Sequence, residues 1–417
     1  TTSAAPTGTN GPAVTDISVQ PSAAGALVAF TTDVPATSVV SWGPIQGQAV
    51  GTASTSSGTT HSANIAGIGP DELQHVWFEA TSASGTTFAP GGSFTTPPAN
   101  GGPTIHVPVG SNLPVGGANG VSQDAANVVG TIRDPDGIQS ATYSLNGAGP
   151  QNLTLGPNTR RLSGQGYFNA EILLSNLLPG ENTVVIRATD TGGTVSEKTV
   201  VVDYAPGAAQ PLPRTFDWSS VGRIEDLAQV VDGFWAKTPG GIRTTQVGYD
   251  RLVTLGDVNW TDYEVTVPIT VHSIDQANGD PYPSVGPAAG LGLRWAGHTS
   301  SFGESPREGF YPAGAFMFHR WIPGGGEELR MMNEGLWPEA YPATMELGRT
   351  YLFKMEVESG AGGHGTYRMK AWPEGDQEPA SWGLERAAPQ DLLAGAVILA
   401  AHHVDATFGD VEVRPLG

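Results

Sequence analysis

Between Gly290 and Pro342 the chain reads GLGLRWAGHTSSFGESPREGFYPAGAFMFHRWIPGGGEELRMMNEGLWPEAYP, a stretch dense in guanidinium, imidazole and indole groups. Arg294, Trp295, His298, His319, Arg320, Trp321 and Trp337 make up its candidate ligand-binding set. Rings of this kind stack on the apolar face of a pyranose, while forked donors and carboxylates read its hydroxyls. Alternation puts Gly290, Gly292 and Arg294 on one strand face, which predicts bare backbone beside a guanidinium, open to a flat ligand. In the next strand Met317, His319 and Trp321 project one way and Phe316, Phe318 and Arg320 the other. The competing expectation is packing. Trp and Phe on strands commonly form core, His298 and His319 serve equally as hydrogen-bonded structural groups, and a buried Arg294 or Arg320 needs a partner. His402 and His403, adjacent on a strand, are expected to face opposite ways and so not to share a metal. No nucleophile elbow, phosphate loop or HExxH pattern is present.

These groups must be positioned by strands. Tyr263, Val265, Val267, Ile269 and Val271 alternate with Glu264, Thr266 and Thr270, and Tyr351, Phe353, Met355 and Val357 alternate with Lys354, Glu356 and Glu358. Each strand therefore has a dry and a wet side, as in two packed sheets. Eight of the ten tryptophans and all six methionines fall between Phe216 and Val413. Four motifs there, VVDGFW (Val230 to Trp235), WTDYEVTV (Trp260 to Val267), YRMKAWPEGDQEPASW (Tyr367 to Trp382) and FGDVEV (Phe408 to Val413), resemble the concanavalin A-like (laminin G-like) jelly roll. The resemblance covers the last half of the chain and implies a concave sheet as working surface. It also implies a structural Ca2+ held by Asp410 with Asp217 as partner. Glycosidases of that fold carry an E-x-D-x-x-E strand that sets acid and nucleophile ~5 Å apart; the pattern is absent, and Glu304, Glu308, Glu327, Glu328, Glu334 and Glu339 lie in loops or at strand ends. A lyase of that fold would draw on Arg294, His298, Tyr311, His319 and Arg320, although the strand motifs of alginate lyases are missing.

Upstream, residues 12–98 read as short alternating strands and resemble a fibronectin type III domain. FTTDVPATSVVSWG stands for its B to C region, with Trp42 as core tryptophan, and GIGPDELQHVWFEATSASG for its E to F corner, with His75 in place of a tyrosine. Pro/Gly-rich joints at 99–103 and 206–213 bracket residues 104–205, which resemble a bacterial immunoglobulin-like domain. Its RDPDG and DTGG segments are read as turns in which Asp caps its own backbone, in preference to calcium loops. The expected organisation is all-β: a leader at 1–11, two tandem β-sandwiches and a concanavalin A-like jelly roll at 214–417.

Composition agrees. Gly 57, Pro 33 and only 14% charged residues favour short strands and turns over helices. Without cysteine there is neither a disulfide framework nor a thiolate metal site. A formal net charge of -20 repels phosphate backbones and anionic membranes, so nucleic acid is not an expected partner. No apolar run approaches the ~20 residues of a membrane span. A Thr/Ser/Ala/Gly/Pro leader suits a mature exported or surface protein whose signal peptide has been removed. The sequence thus predicts a secreted or cell-surface protein that binds polysaccharide or surface glycan through its jelly roll, with the sandwiches as spacers. The alternatives are a self-assembling filament or adhesin subunit and a polysaccharide lyase or glycoside hydrolase.

Overall fold

The computed structural model describes residues 11–22, 24–96, 101–135, 137–207, 210–276, 286–300, 305–333 and 336–416, the side chains of 336–339 excepted. The leader apart from Gly11, and parts of both joints, lie outside the described residues. The described regular structure is strand apart from short 3₁₀ turns, and no helix among the described residues is long and apolar enough to cross a membrane. The chain packs into two compact units, Thr1–Thr104 with Arg133–Ser140 and Thr189–Ser196, and Ile105–Ile132 with Ala141–Ala188 and Glu197–Gly417.

In the first unit two long strands do double duty. Gly25–Gly43 pairs with Val14–Ser22 and with the far half of Gly51–Ala66; after register breaks between Thr31 and Ser38 its second half pairs with the near half of Gly51–Ala66 and with Leu73–Ser82. Gly85–Thr95 closes that side. The breaks turn both strands across a corner, giving two facing layers around Val28, Phe30, Val40, Trp42, Val76 and Phe78. Trp42 is core as expected, whereas His75 and Trp77 alternate outward between the inward Gln74, Val76 and Phe78.

The second sandwich has a three-stranded sheet (Tyr167–Leu173, Ala125–Arg133, Thr104–His106) and a five-stranded one whose last pair, Val195–Ala205 with Asn112–Gly116, is parallel. Asp190 accepts the Thr194 amide at 2.7 Å, so this carboxylate caps its own turn. His106 is half-buried, and its Nε2 has no hydrogen-bond partner among the described residues. Burial, then the nearby Lys198, push its pKa down to about 4. The unfolded chain takes up this proton near pH 6.5 and the folded chain only near 4, so stability is full above the first value and falls as pH drops between them. From pH 6.5 to 5 this group costs about 2 kcal/mol. Urea unfolding at pH 7 and pH 5 should show His106→Asn losing less stability than the parent by about that amount; equal losses would refute the assignment.

The jelly roll is built from a nine-stranded and a seven-stranded sheet. The first runs Trp235–Thr238, Gly241–Thr244, Val404–Phe408, Tyr263–Ile274, Thr350–Ser359, Gly365–Pro373, Leu384–Ala388, with Arg214–Phe216 and Val411–Pro415 alongside. The second runs Gln229–Asp232, Arg251–Leu255, Ala396–His402, Ala288–Trp295, Ala315–Trp321, Glu327–Asn333, Leu336–Pro342. Tyr263, Val265, Val267, Ile269 and Val271 meet Leu291, Leu293, Met317, Met331 and Leu399 between the sheets. Each fully buried aliphatic side chain contributes about 1.5–3 kcal/mol. The outer face of the nine-stranded sheet is ion-paired and wet, with Lys354 on Glu264 at 3.0 Å and Arg368 on Glu356 at 2.8 Å.

Candidate functional site

Alternation along Ala288–Trp295 holds as far as Leu293 and then breaks. Ala289, Leu291 and Leu293 enter the core between the sheets, so Arg294 ought to emerge on the outer face with Gly290 and Gly292. Instead the register with Ala396–His402 slips between Gly292 and Trp295, and Arg294 takes a left-handed φ of 52°. This bulge returns Arg294 to the interior and sends Trp295 outward. The guanidinium is fully buried, and every arm is used. Nε and Nη2 donate to Thr261 O at 3.2 and 3.1 Å, Nη2 to Ser359 Oγ at 2.7 Å, and Nη1 to Gly363 O, Leu392 O and Asp391 Oδ2, each at 3.0 Å. Asp391, equally buried, also accepts from Tyr367 Oη, Gly365 N and His364 Nδ1. Burial, then Asp391, raise the Tyr367 pKa well above the phenolic range, keeping it a donor. Arg294 is thus a structural cation, out of a ligand's reach.

The bare floor does not open either. A Cβ on Gly292 would strike the Phe316 ring at 2.5 Å, and one on Gly290 the Met317 carbonyl oxygen at 1.8 Å. These glycines admit close packing. On the outer face of the seven-stranded sheet Trp295, Phe316, Phe318, Leu252, Ile398 and Ala400 form a second apolar cluster, joined by Phe310 and Tyr311.

Over this cluster runs an ionic seam between the jelly roll and the second sandwich, within one compact unit. His298 Nε2 lies 2.9 Å from Asp232 Oδ2, and its Nδ1 3.2 Å from Gly309 O. Both neighbours are acceptors, so either ring nitrogen that carries a hydrogen has an oxygen to receive it. Asp232 Oδ1 accepts from Arg161 Nε at 2.5 Å, and Arg161 Nη1 reaches Glu171 at 3.1 Å. Arg307 binds Glu171 at 2.9 Å and Asp124 through two arms at 2.7 and 2.8 Å. Burial works to raise the Asp232 pKa; Arg161 and then His298 outweigh it and hold it below the usual carboxylate range. Glu171 is held low in the same way by Arg161 and Arg307 against its burial. Trp295 lies edge-on to His298, with centroids 5.1 Å apart.

The remaining candidates scatter. His319 and Trp321 face inward at 3% and 5% exposure; His319 Nε2 sits 3.0 Å from Glu327, and burial lowers its pKa. Arg320 is on the outer face and pairs with Glu328 at 2.6 Å, a carboxylate shared with Arg330 at the same distance. Trp337 belongs to the strand Leu336–Pro342, and its side chain lies outside the described residues. The five residues a lyase would need therefore do not converge, since Arg294 and His319 face the interior while His298, Tyr311 and Arg320 lie beyond the sheet. His402 and His403 correct another expectation: their rings meet at 4.6 Å, because the strand ends at His402 and His403 has φ 52°.

The calcium pair does not fit its ion. Asp410 Oδ1 accepts the Trp218 amide at 3.0 Å, and Asp217 Oδ1 turns onto Ser219 N and Oγ at 2.8 and 2.6 Å. Both carboxylates cap backbone, and among the described residues no three His, Asp or Glu side chains converge as a metal site. Sequence reasoning missed Asp391, Arg161, Glu171, Arg307 and Asp124. The one available signal was Arg160-Arg161, adjacent cations in a chain with only 20 lysines and arginines.

No family model and no curated protein matches the chain. Among solved structures, the VIP36 exoplasmic/lumenal domain in its Ca2+/Man-bound form is 13% identical over 44% of this chain and 81% of its own, with a TM-score of 0.29. The PL-14 alginate lyase from Aplysia kurodai is 9% identical over 46% and 82%, at 0.24. Chicken CNTN1 FN1-FN3 domains are 11% identical over 88% and 99%, at 0.19. At such scores the likenesses carry no argument for function, and the all-β architecture rests on the sheets themselves.

Proposed function

We propose that this is a modular binding and display protein of the extracellular or cell-surface kind, in which the second sandwich and the jelly roll act as one stiff arm of an adhesin or filament subunit. The observation that carries the reading is the seam. The outer face of the seven-stranded sheet carries Trp295 and Arg320 of the candidate set, and Arg161, Asp232 and His298 cover it beside Trp295 with side chains about 1% exposed. Two charges buried this way, each with several partners, fix one orientation, whereas loosely linked modules meet through small, wet contacts. Glycan binding by the jelly roll contracts to Arg320 and Arg330 around Glu328, side chains 12%, 19% and 12% exposed, bordered by the strand that bears Trp337.

Hydrogen exchange of the full chain in rising denaturant tests the stiff arm. Amides of Tyr167–Leu173 and of Ala396–His402, strands on opposite sides of the seam, should open at the same midpoint. Separate midpoints would show two independent modules and end the reading.

A further inference from the structure

The first sandwich carries an aromatic face that its own core does not use. Along Leu73–Ser82 and Gly85–Thr95 the inward apolar residues are Val76, Phe78, Ala80, Ala89 and Phe94. Outward, the cross-strand rows read Ser41, Trp77, Pro90 and Val39, Glu79, Phe88. Phe88 is 63% exposed, Pro90 is exposed, and Trp77 and Val39 are half-buried beside them. Trp77 and Phe88 are diagonal neighbours, about 7–8 Å apart at Cα. Single exposed apolar residues are ordinary, but four in adjacent rows make a contiguous patch.

The patch is built by a bulge. Register shifts between Val76 and Trp77, so that Val76 faces Gly92 while Trp77 faces Pro90. Gly91 occupies the extra position, where a Cβ would strike the Phe78 ring at 2.6 Å, and Gly92 has φ +85°. Without this insertion Phe88 and Pro90 would shift face relative to Trp77.

Its rim names the occupant. Next to the rings stand Ser41, Thr52 and Ser54, and Thr81 and Thr86 share a hydrogen bond at 2.9 Å. Glu79 is the one charged side chain in these rows, and no lysine or arginine stands among them. Rings offer stacking to the C–H face of a sugar, and hydroxyls with one carboxylate exchange hydrogen bonds with its hydroxyls. A cation outside these rows, Arg133, acts on His75, the next outward residue before Trp77; within the rows Glu79 alone is charged, and in a chain of formal charge -20 that disfavours uronates, sulfated glycans and nucleic acid. We propose that this sheet face is a binding site for an uncharged polysaccharide chain. The proposal rests on the display reading and supplies its ligand class, in a module expected from sequence to be a spacer.

Full-length protein is mixed with insoluble cellulose and chitin, run through gels containing xylan, mixed-linkage β-glucan or alginate, and sedimented alone. Retention is expected on at least one neutral polymer and not on alginate. Phe88→Ala and Trp77→Ala should each weaken it roughly tenfold, the scale of a truncated aromatic anchor, while Phe88→Tyr keeps it. Because Phe88 is exposed, its variant reports even if Trp77→Ala folds poorly. No retention on any neutral polymer overturns the proposal, as does loss on Arg330→Ala with Phe88→Ala unaffected, which moves the site to the jelly roll. Self-association abolished by Phe88→Ala also overturns it, since the occupant would then be a second copy. None of these outcomes touches the exchange midpoints that test the stiff arm.

Discussion

Arg294→Met is expected to lower the unfolding free energy by about 3–5 kcal/mol, the cost of removing one partner from a buried ion pair. Asp391 would remain buried with only Tyr367, Gly365 and the partly exposed His364 to answer its charge. Thr261, Gly363 and Leu392 would lose the donor to their carbonyls, each an unsatisfied buried group costing about 1–3 kcal/mol where water cannot enter. Arg294→Lys should rescue little, because an ammonium presents three donors at a point and cannot span acceptors that surround a planar fork. Adding Asp391→Asn to Arg294→Met should recover part of the loss by removing the stranded charge, though not the carbonyl donors. Urea unfolding of the three variants decides it. A loss under about 1 kcal/mol for Arg294→Met, the range of exposed pairs, would mean that the guanidinium reaches solvent after all.

The same residue marks how far the chain could be read. Faces were legible wherever alternation ran unbroken. Tyr263, Val265, Val267, Ile269 and Val271 are all core, and Phe316 and Phe318 stand opposite Met317 and Trp321. One inserted residue at Arg294 defeats that reading, because a strand's period of two turns any slip into a change of face. Nothing in GLGLRW announces the bulge: leucine, glycine and arginine fit either register, and the φ of 52° falls on a residue type that rarely adopts it. His403 failed for the same reason, since its strand had already ended. The seam was illegible on different grounds. Arg161 meets Asp232 across 71 residues and Arg307 meets Glu171 across 136, distances over which spacing carries no information. Aromatic and guanidinium groups drew the reading to the seven-stranded sheet, and what spacing could not convey is that its outer face around Trp295 is covered by the ionic seam.

That occupation gives the second large effect. Asp232→Leu should cost about 3–5 kcal/mol and, unlike Arg294→Met, should also separate the exchange midpoints of the second sandwich and the jelly roll. Losing the carboxylate strands Arg161, whose side chain is 1% exposed, with Glu171 alone to answer it, while Glu171 still serves Arg307; His298 loses its Nε2 partner at the same time. Since the groups on the Asp232 carboxylate, Arg161 and His298, bridge the seam or line it, the penalty falls on docking and leaves each core whole. Arg161→Met alone should behave alike, and the double variant should lose less than the sum, with a coupling of about 2 kcal/mol or more for groups in one buried network. Buried charges are poorly screened, so the coupling should change little between low and high salt. Arg187→Ala offers the contrast: its pair with Glu197 is about half exposed, and loss within about 1 kcal/mol that fades with salt is expected. If Asp232→Leu unfolds the arm with both midpoints still together, the seam is not what joins the modules, and stiffness must come from the apolar cluster of Trp295, Phe316 and Ile398 beneath it.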